Sequence, residues 1–201
     1  MPRTQANRFV QIKTHIAYDT LLLRSFSGRE ELSRPFEFQL ELATESEEID
    51  YDKVLGFPAR LDIDCPTPEQ PRYFCGYIAT LSRAGREDNL NVYTATLVPW
   101  IWFLGLQLDC RIFQNMTAVE VIKEVFSKHA LGKHEIKLTE SAYRKREYCV
   151  QYRESDLAFV SRLMEEEGIY YYFRHDQAGE VLVLCDSPAN HPPFKGYAQF
   201  E

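Results

Sequence analysis

Phe36-Glu37-Phe38-Gln39-Leu40-Glu41-Leu42 alternates apolar and polar side chains without a break. Successive side chains of a β-strand point to opposite faces. Phe36, Phe38, Leu40 and Leu42 therefore share a buried face, while Glu37, Gln39 and Glu41 turn to water. The same reading downstream sets Leu61, Ile63 and Cys65 against Asp62 and Asp64, a half-buried strand stopped by Pro66 and followed by the proline-rich turn at 66–71. Strands then run over residues 72–82 and 91–98, joined by the polar, Gly85-containing stretch 83–89 as a hairpin. Several short strands in succession before any helix predict a β-sandwich or a small barrel.

The period changes at Asn115. Thr117 followed by Glu120 is a capping-box spacing, and Ala118, Ile122, Val125 and Phe126 recur at helical intervals until Gly132, read as the C-terminal stop. Strands return over 134–138 and 146–152. A second helix begins at Ser155 or Asp156, carries Leu157, Val160, Leu163 and Met164 on one face, and ends at Gly168. Residues 169–173 and 181–185 are apolar or aromatic on both faces and flank a turn at 175–179, so they form a hairpin that needs cover on both sides. No further helix or long strand follows Pro188. Part of that cover is expected from further chain or from other subunits, and the architecture looks unfinished at Glu201. The domain change is placed between Leu106 and Asn115, giving a first unit over 1–108 and an α+β segment over 109–201.

Composition narrows the function classes. With 30 acidic residues against 23 basic and a net charge of −7, the chain lacks the basic stripe that nucleic acid demands, and Arg144-Lys145-Arg146 reads as a solvated turn. The longest apolar run, Trp100 to Leu106, falls far short of the ~20 residues that span a bilayer, so membrane insertion is not expected. The polar N-terminus leads into no apolar segment of a signal peptide, which places synthesis and assembly in the cytoplasm. Five cysteines without CxxC spacing read as reduced thiols rather than a disulfide framework.

Tests for chemistry give no catalytic residues, no metal ligands and no cofactor. GxSxG, HExxH, GxxxxGK[ST] and GxGxxG are absent. His15, His129, His134, His175 and His191 read as surface or structural histidines. Asp62 and Asp64 fall on the solvated face of their strand, so an acid/base couple of the glycosidase kind is disfavoured. Two features point to assembly instead. Both tryptophans, Trp100 and Trp102, lie within three residues; core packing is the default for them and an interface is the runner-up. Glu165, Glu166 and Glu167 crowd the C-terminal end of a helix, where the macrodipole disfavours anions by about 0.3–1 kcal/mol each. Arg162 offsets a little of this at i,i+4. A solvated acidic end is the plainer reading; the sharper one has these acids meet cations of another domain or subunit.

Longer strings carry a resemblance. They include Ser27-Gly28-Arg29-Glu30, Leu97-Val98-Pro99-Trp100, Asp109-Cys110-Arg111-Ile112-Phe113-Gln114-Asn115, Cys149-Val150-Gln151-Tyr152, and the block from Glu165 to Phe173. In this order along the whole chain they resemble the N-terminal hub region of VgrG, the spike family of type VI secretion systems, itself similar to contractile-phage tail hubs. The resemblance implies a β-rich α+β fold, with a tube-type β-barrel followed by an α+β segment with two helices that leads into a second, incomplete barrel. It implies a homotrimer in the full-length context, seated on the Hcp hexamer and continuing into a needle domain and spike-borne effectors. Secretion would be by the type VI machine itself, without a signal peptide. Trp100, Trp102, Arg111, Glu165, Glu166 and Glu167 are the candidate assembly interface. The alternatives are a tail hub of a contractile phage or phage-derived particle and, from another class, a cell-wall hydrolase.

Overall fold

The computed structural model describes residues 3–64, 71–129, 132–139 and 143–190; Cys65, Pro66 and His191 lie outside them. Six strands form the first unit: β1 (Val10–Lys13), β2 (Leu22–Arg29), β3 (Glu37–Thr44), β4 (Pro58–Ile63), β5 (Arg72–Glu87) and β6 (Leu90–Val98). They pair antiparallel in the order β1-β4-β5-β6-β3-β2 and curl into a nearly closed barrel. The alternation in β3 is realised, with Phe38, Leu40 and Leu42 in the barrel core and Glu37 and Gln39 outside.

The order leaves β1 and β2 at the two ends of the sheet, where backbone groups lack a neighbour. Gln5, fully buried, fills that seam. Its amide nitrogen donates to the carbonyls of Ile12 (2.8 Å) and Leu21 (3.4 Å), and its oxygen accepts from the Ile12 N–H (3.0 Å). Arg8 adds a bond to the Leu23 carbonyl at 2.8 Å. Side chains thus stand in for a missing ladder.

The β5–β6 hairpin is longer than its sequence pattern. Its strands run to Glu87 and from Leu90, around a two-residue turn at Asp88 and Asn89 with φ of 46° and 64°. From Ser82 to Glu87 every β5 side chain is exposed, so the stretch has no apolar face for a pattern to display. Asp62 is also less solvated than alternation implied, because Lys13 (2.8 Å) and Arg60 (2.5 Å) both pair with it.

The second unit starts with a 3-10 turn (Trp100–Gly105) and continues as β7 (Leu108–Met116), α1 (Ala118–Ser127), β8 (Lys133–Lys137), β9 (Arg146–Ser155), α2 (Asp156–Glu166), β10 (Tyr170–Asp176) and β11 (Gly179–Cys185). Strands β10, β11 and β8 form one sheet, with β8 parallel to β11; β7 and β9 form a separate antiparallel ribbon. The Thr117–Glu120 capping box is present with both bonds made, and Ser155 caps α2 through the Ala158 N–H at 3.1 Å. Gly168 turns the chain with φ of 69° after α2. Gly132 has a different role from the one expected. Helix α1 ends at Ser127, and Gly132 lies under the Trp100 indole, where a Cβ would sit 2.1 Å from ring atoms.

Two cores meet at residues 98–100. The barrel core takes residues up to Leu97, while Trp100, Ile101 and Leu104 already pack with the helices. Both faces of β11 are buried: Leu182 and Leu184 join the helical core, and Val181, Val183 and Cys185 form a cluster against which the half-buried Tyr170 and Tyr172 of β10 pack. The expected need for cover from other subunits is thereby removed for β11. The hairpin end also leans on the barrel. Phe173 packs against both cores, and His175 accepts the Cys75 N–H at Nδ1 (3.0 Å) and faces Glu30 through Nε2 (3.0 Å).

Candidate assembly interface

The four histidines in the described residues are each held by neighbours. His15 stacks on Phe57 at 4.3 Å, His134 packs edge-on to Phe126 at 5.2 Å, His129 bonds Asp156 at 2.8 Å, and His175 bridges barrel and hairpin as above. Among the described residues no group of three or more His, Cys, Asp or Glu side chains is placed to hold a metal ion.

Trp100 moves from the candidate interface to the core. Its side chain is wholly enclosed, T-stacked on Phe126 at 5.1 Å, and offers no surface to a partner. The physical reason is tertiary: Gly132 gives the indole a flat floor, and the Trp100 backbone N–H is fixed by Glu180, a buried carboxyl accepting it at 2.6 Å. Burial pushes Glu180 up to about 8 against that single bond, and its second oxygen has no partner among the described residues. Trp102, two residues on, is only half-buried, T-stacked on Phe103.

Arg111 lies in a polar knot that ties β7 to both helices. Its guanidinium bonds Gln151 of β9 (2.8 Å), Asp109 (3.1 Å) and Asp156 at the start of α2. Asp156 also receives Gln151 (2.8 Å) and meets His129 beyond the end of α1. Burial opposes the Asp156 charge, but the bonds from His129 and Gln151 and the Arg111 charge prevail and hold the carboxyl below its ordinary range. The helix N-terminus favours an anion in the same place. Arg111 therefore works inside the chain, fastening the ribbon.

The acids at the end of α2 find their cation in the same unit. Arg146 of β9 pairs with Glu166 (2.7 Å) and Glu167 (2.5 Å), and Arg162 pairs with Glu166 (3.2 Å) and Glu154 (2.6 Å). These side-chain bonds, Arg146 first, hold Glu166 below its usual range. The sharper expectation, that all three acids wait for another subunit, gives way for Glu166 and Glu167. Glu165 stays exposed.

The residues that sequence reasoning missed are on the other side of the ribbon. Strand β7 alternates: Arg111 and Phe113 turn inward, while Leu108, Cys110, Ile112 and Gln114 turn out. Cross-strand pairing sets Tyr152, Val150 and Tyr148 of β9 beside the last three. Leu108, Ile112, Tyr148 and Tyr152 are 65–73% exposed and Val150 is 44% exposed. None of these strand positions is an Asp, Glu, Lys or Arg, although the Arg153 guanidinium lies over the Tyr152 ring at 5.4 Å. Residues 108–114 give little period-two signal, because both faces of that stretch mix apolar and polar types.

A strand-built barrel followed by a helix-backed ribbon is the architecture of a phage tail hub fold. The phage tail baseplate hub (GPD) family matches residues 29–201, and the chain belongs to it. It is 43% identical over 96% of its length to the type VI secretion system spike protein VgrG1a of Pseudomonas aeruginosa, and 42% identical over 98% to VgrG1b of the same organism. It spans 30% and 26% of those two relatives. In fold it is similar to E. coli c3393, described as a type VI secretion component with structural similarity to T4 tail proteins gp27 and gp5, at a TM-score of 0.80 and 24% identity, covering 90% of this chain and 50% of that one.

Proposed function

We propose that the chain is the hub module of a type VI secretion spike, which adapts the hexameric Hcp tube to a needle and acts through shape and buried interface rather than catalysis. The observation that carries this reading is the match to VgrG1a, which runs through barrel and α+β unit alike. In this reading the barrel is the tube-facing part, the segment from residue 109 leads into a second barrel, and copies assemble as a trimer before export by the machine itself. Trp102 and Glu165 remain candidate contacts because they keep accessible surface.

Capture of Hcp by the purified chain, read as a shift in solution mass on mixing, tests the reading. A stable co-sedimenting complex is expected. A chain that ignores Hcp but binds the tube protein of a contractile phage would move the assignment to a phage tail hub, the reading favoured by the family's own description.

A further inference from the structure

A cavity of about 750 Å³ opens where the barrel meets the second unit. The barrel lines it with Lys13 of β1, Arg60 of β4 and Tyr77 of β5; the second unit adds Lys133 of β8 and Glu180 of β11. The two units are braced against each other here, because the Arg60 guanidinium bonds the Gln177 carbonyl of the β10–β11 turn as well as Asp62. Charge on the lining is one-sided. Lys13 (2.8 Å) and Arg60 (2.5 Å) share a single carboxylate, Asp62, which lies off the lining, so one positive charge is left over. Lys133 is exposed and makes no ion pair among the described residues, which adds a second. Asp176 of the adjoining turn has its carboxylate on the Ala178 N–H at 2.7 Å. Glu180 is the one acid on the lining; it is 6% exposed, and burial favours its neutral form.

We infer that this cavity binds a small organic anion, whose carboxylate or phosphate oxygens are drawn to Lys133 and to the excess charge of Lys13 and Arg60. Volume argues for an organic body, since sites for small molecules run to about 300–1,000 Å³ and a bare inorganic ion would leave most of this one unfilled. The lining suits such a body: Tyr77 and His15, the latter stacked on Phe57 at 4.3 Å, stand on it beside Pro58 and Ala59. Sign argues for an anion. The chain as a whole is at net −7, yet this recess has two unbalanced cations and a neutral acid, and partial withdrawal from water strengthens the pull of the cations. A cationic ligand would meet like charge at Lys133 and Lys13. Glu180 sets a pH limit on the site. Lys13, His15, Arg60, Cys75, Tyr77 and Lys133 share the cavity with it. Burial pushes Cys75 up to about 12 and raises Tyr77, so Glu180 is the group whose ionisation brings negative charge to the lining as pH rises through about 8.

The test is isothermal titration of the intact chain with citrate, with glycerol 3-phosphate and with glycerol, all at one ionic strength. Saturable binding of at least one of the two anions is expected, with none for glycerol; which anion binds the tighter separates a carboxylate ligand from a phosphate one. Lys133→Gln should weaken that binding about tenfold, the effect of losing one charge-assisted bond. Because Lys133 is exposed, the circular dichroism melt of this variant should match the native one. Binding to the native chain should fall as pH rises through about 8, and Glu180→Gln should bind on the alkaline side where the native chain has lost affinity. Titrations that show no saturation with either anion, glycerol binding as well as the anions, indifference to Lys133→Gln, or a pH decline shared by Glu180→Gln would each overturn the inference. It goes beyond the hub reading and does not rest on it, since Hcp capture can succeed or fail whichever way the titrations come out.

Discussion

Glu180 shows how one buried atom can set a pH response. Glu180 is 6% exposed, holds the Trp100 backbone N–H with one carboxyl oxygen, and leaves the other without a partner among the described residues. Desolvation raises it from 4.5 to about 8. The folded chain therefore binds a proton here that the unfolded chain has released between those pH values, and this group's contribution is full below about 4.5 and declines as pH rises through about 8. Glu180→Gln keeps the acceptor and removes the charge. The variant is expected to melt close to the native chain at the acid end of that window and several degrees higher at its alkaline end; thermal melts of both proteins at three pH values check it. Asp156 has the opposite sign. Its depressed pKa supplies stability at neutral pH that is lost on acidification, and Asp156→Asn should cost about 1–3 kcal/mol at neutral pH by weakening the bonds that Arg111, Gln151 and His129 make to the carboxylate, measured by denaturant unfolding. Neither behaviour was legible in the sequence, where Glu180 and Asp156 are two acids among 30. Only the fold distinguishes an acid with one bond from an acid with several.

At the scale of elements, legibility tracked burial and local bonding. Helix α1 could be read to the residue at its start because Thr117 and Glu120 satisfy each other's backbone over three positions, a wholly local arrangement. Strand β3 was legible because one of its faces is core and the other is water. Strands β1 and β2 were not, since they are stabilised by Gln5 and Arg8 from outside the sheet, and no period in their own residues reports that. Ribbon strand β7 hid for a related reason: Leu108 and Ile112 face outward with Gln114 while Arg111 faces inward with Phe113, so alternation between core and solvent is blurred. The seam makes a direct prediction. Gln5→Ala removes three hydrogen bonds to buried backbone groups of β1 and the entry to β2, and should destabilise the barrel by about 2–3 kcal/mol. Amide exchange should then quicken at Ile12 while α1 and α2 remain protected, a pattern that a general loss of stability would not produce.

For the whole molecule, the question is whether barrel and α+β unit behave as one body. Their cores are separate lists of side chains, but Phe173 belongs to the margin of both, T-stacked on Phe36 at 4.9 Å from one side and on Tyr171 at 5.8 Å on the other. His175, two residues along the same strand face, bonds the barrel backbone and packs 5.2 Å from the Phe36 ring. A hinge at this junction would let the two parts bend independently. Phe173 is the better probe, because truncating it removes packing without stranding a polar group. Phe173→Ala is expected to lower stability by about 2–4 kcal/mol and, because what it removes is shared between the two cores, to split a single melting transition into two. Calorimetry decides between outcomes: a native transition that is one cooperative step and a variant that shows two would establish Phe173 as the coupling residue, whereas two steps already present in the native chain would mean that the junction does not join the units.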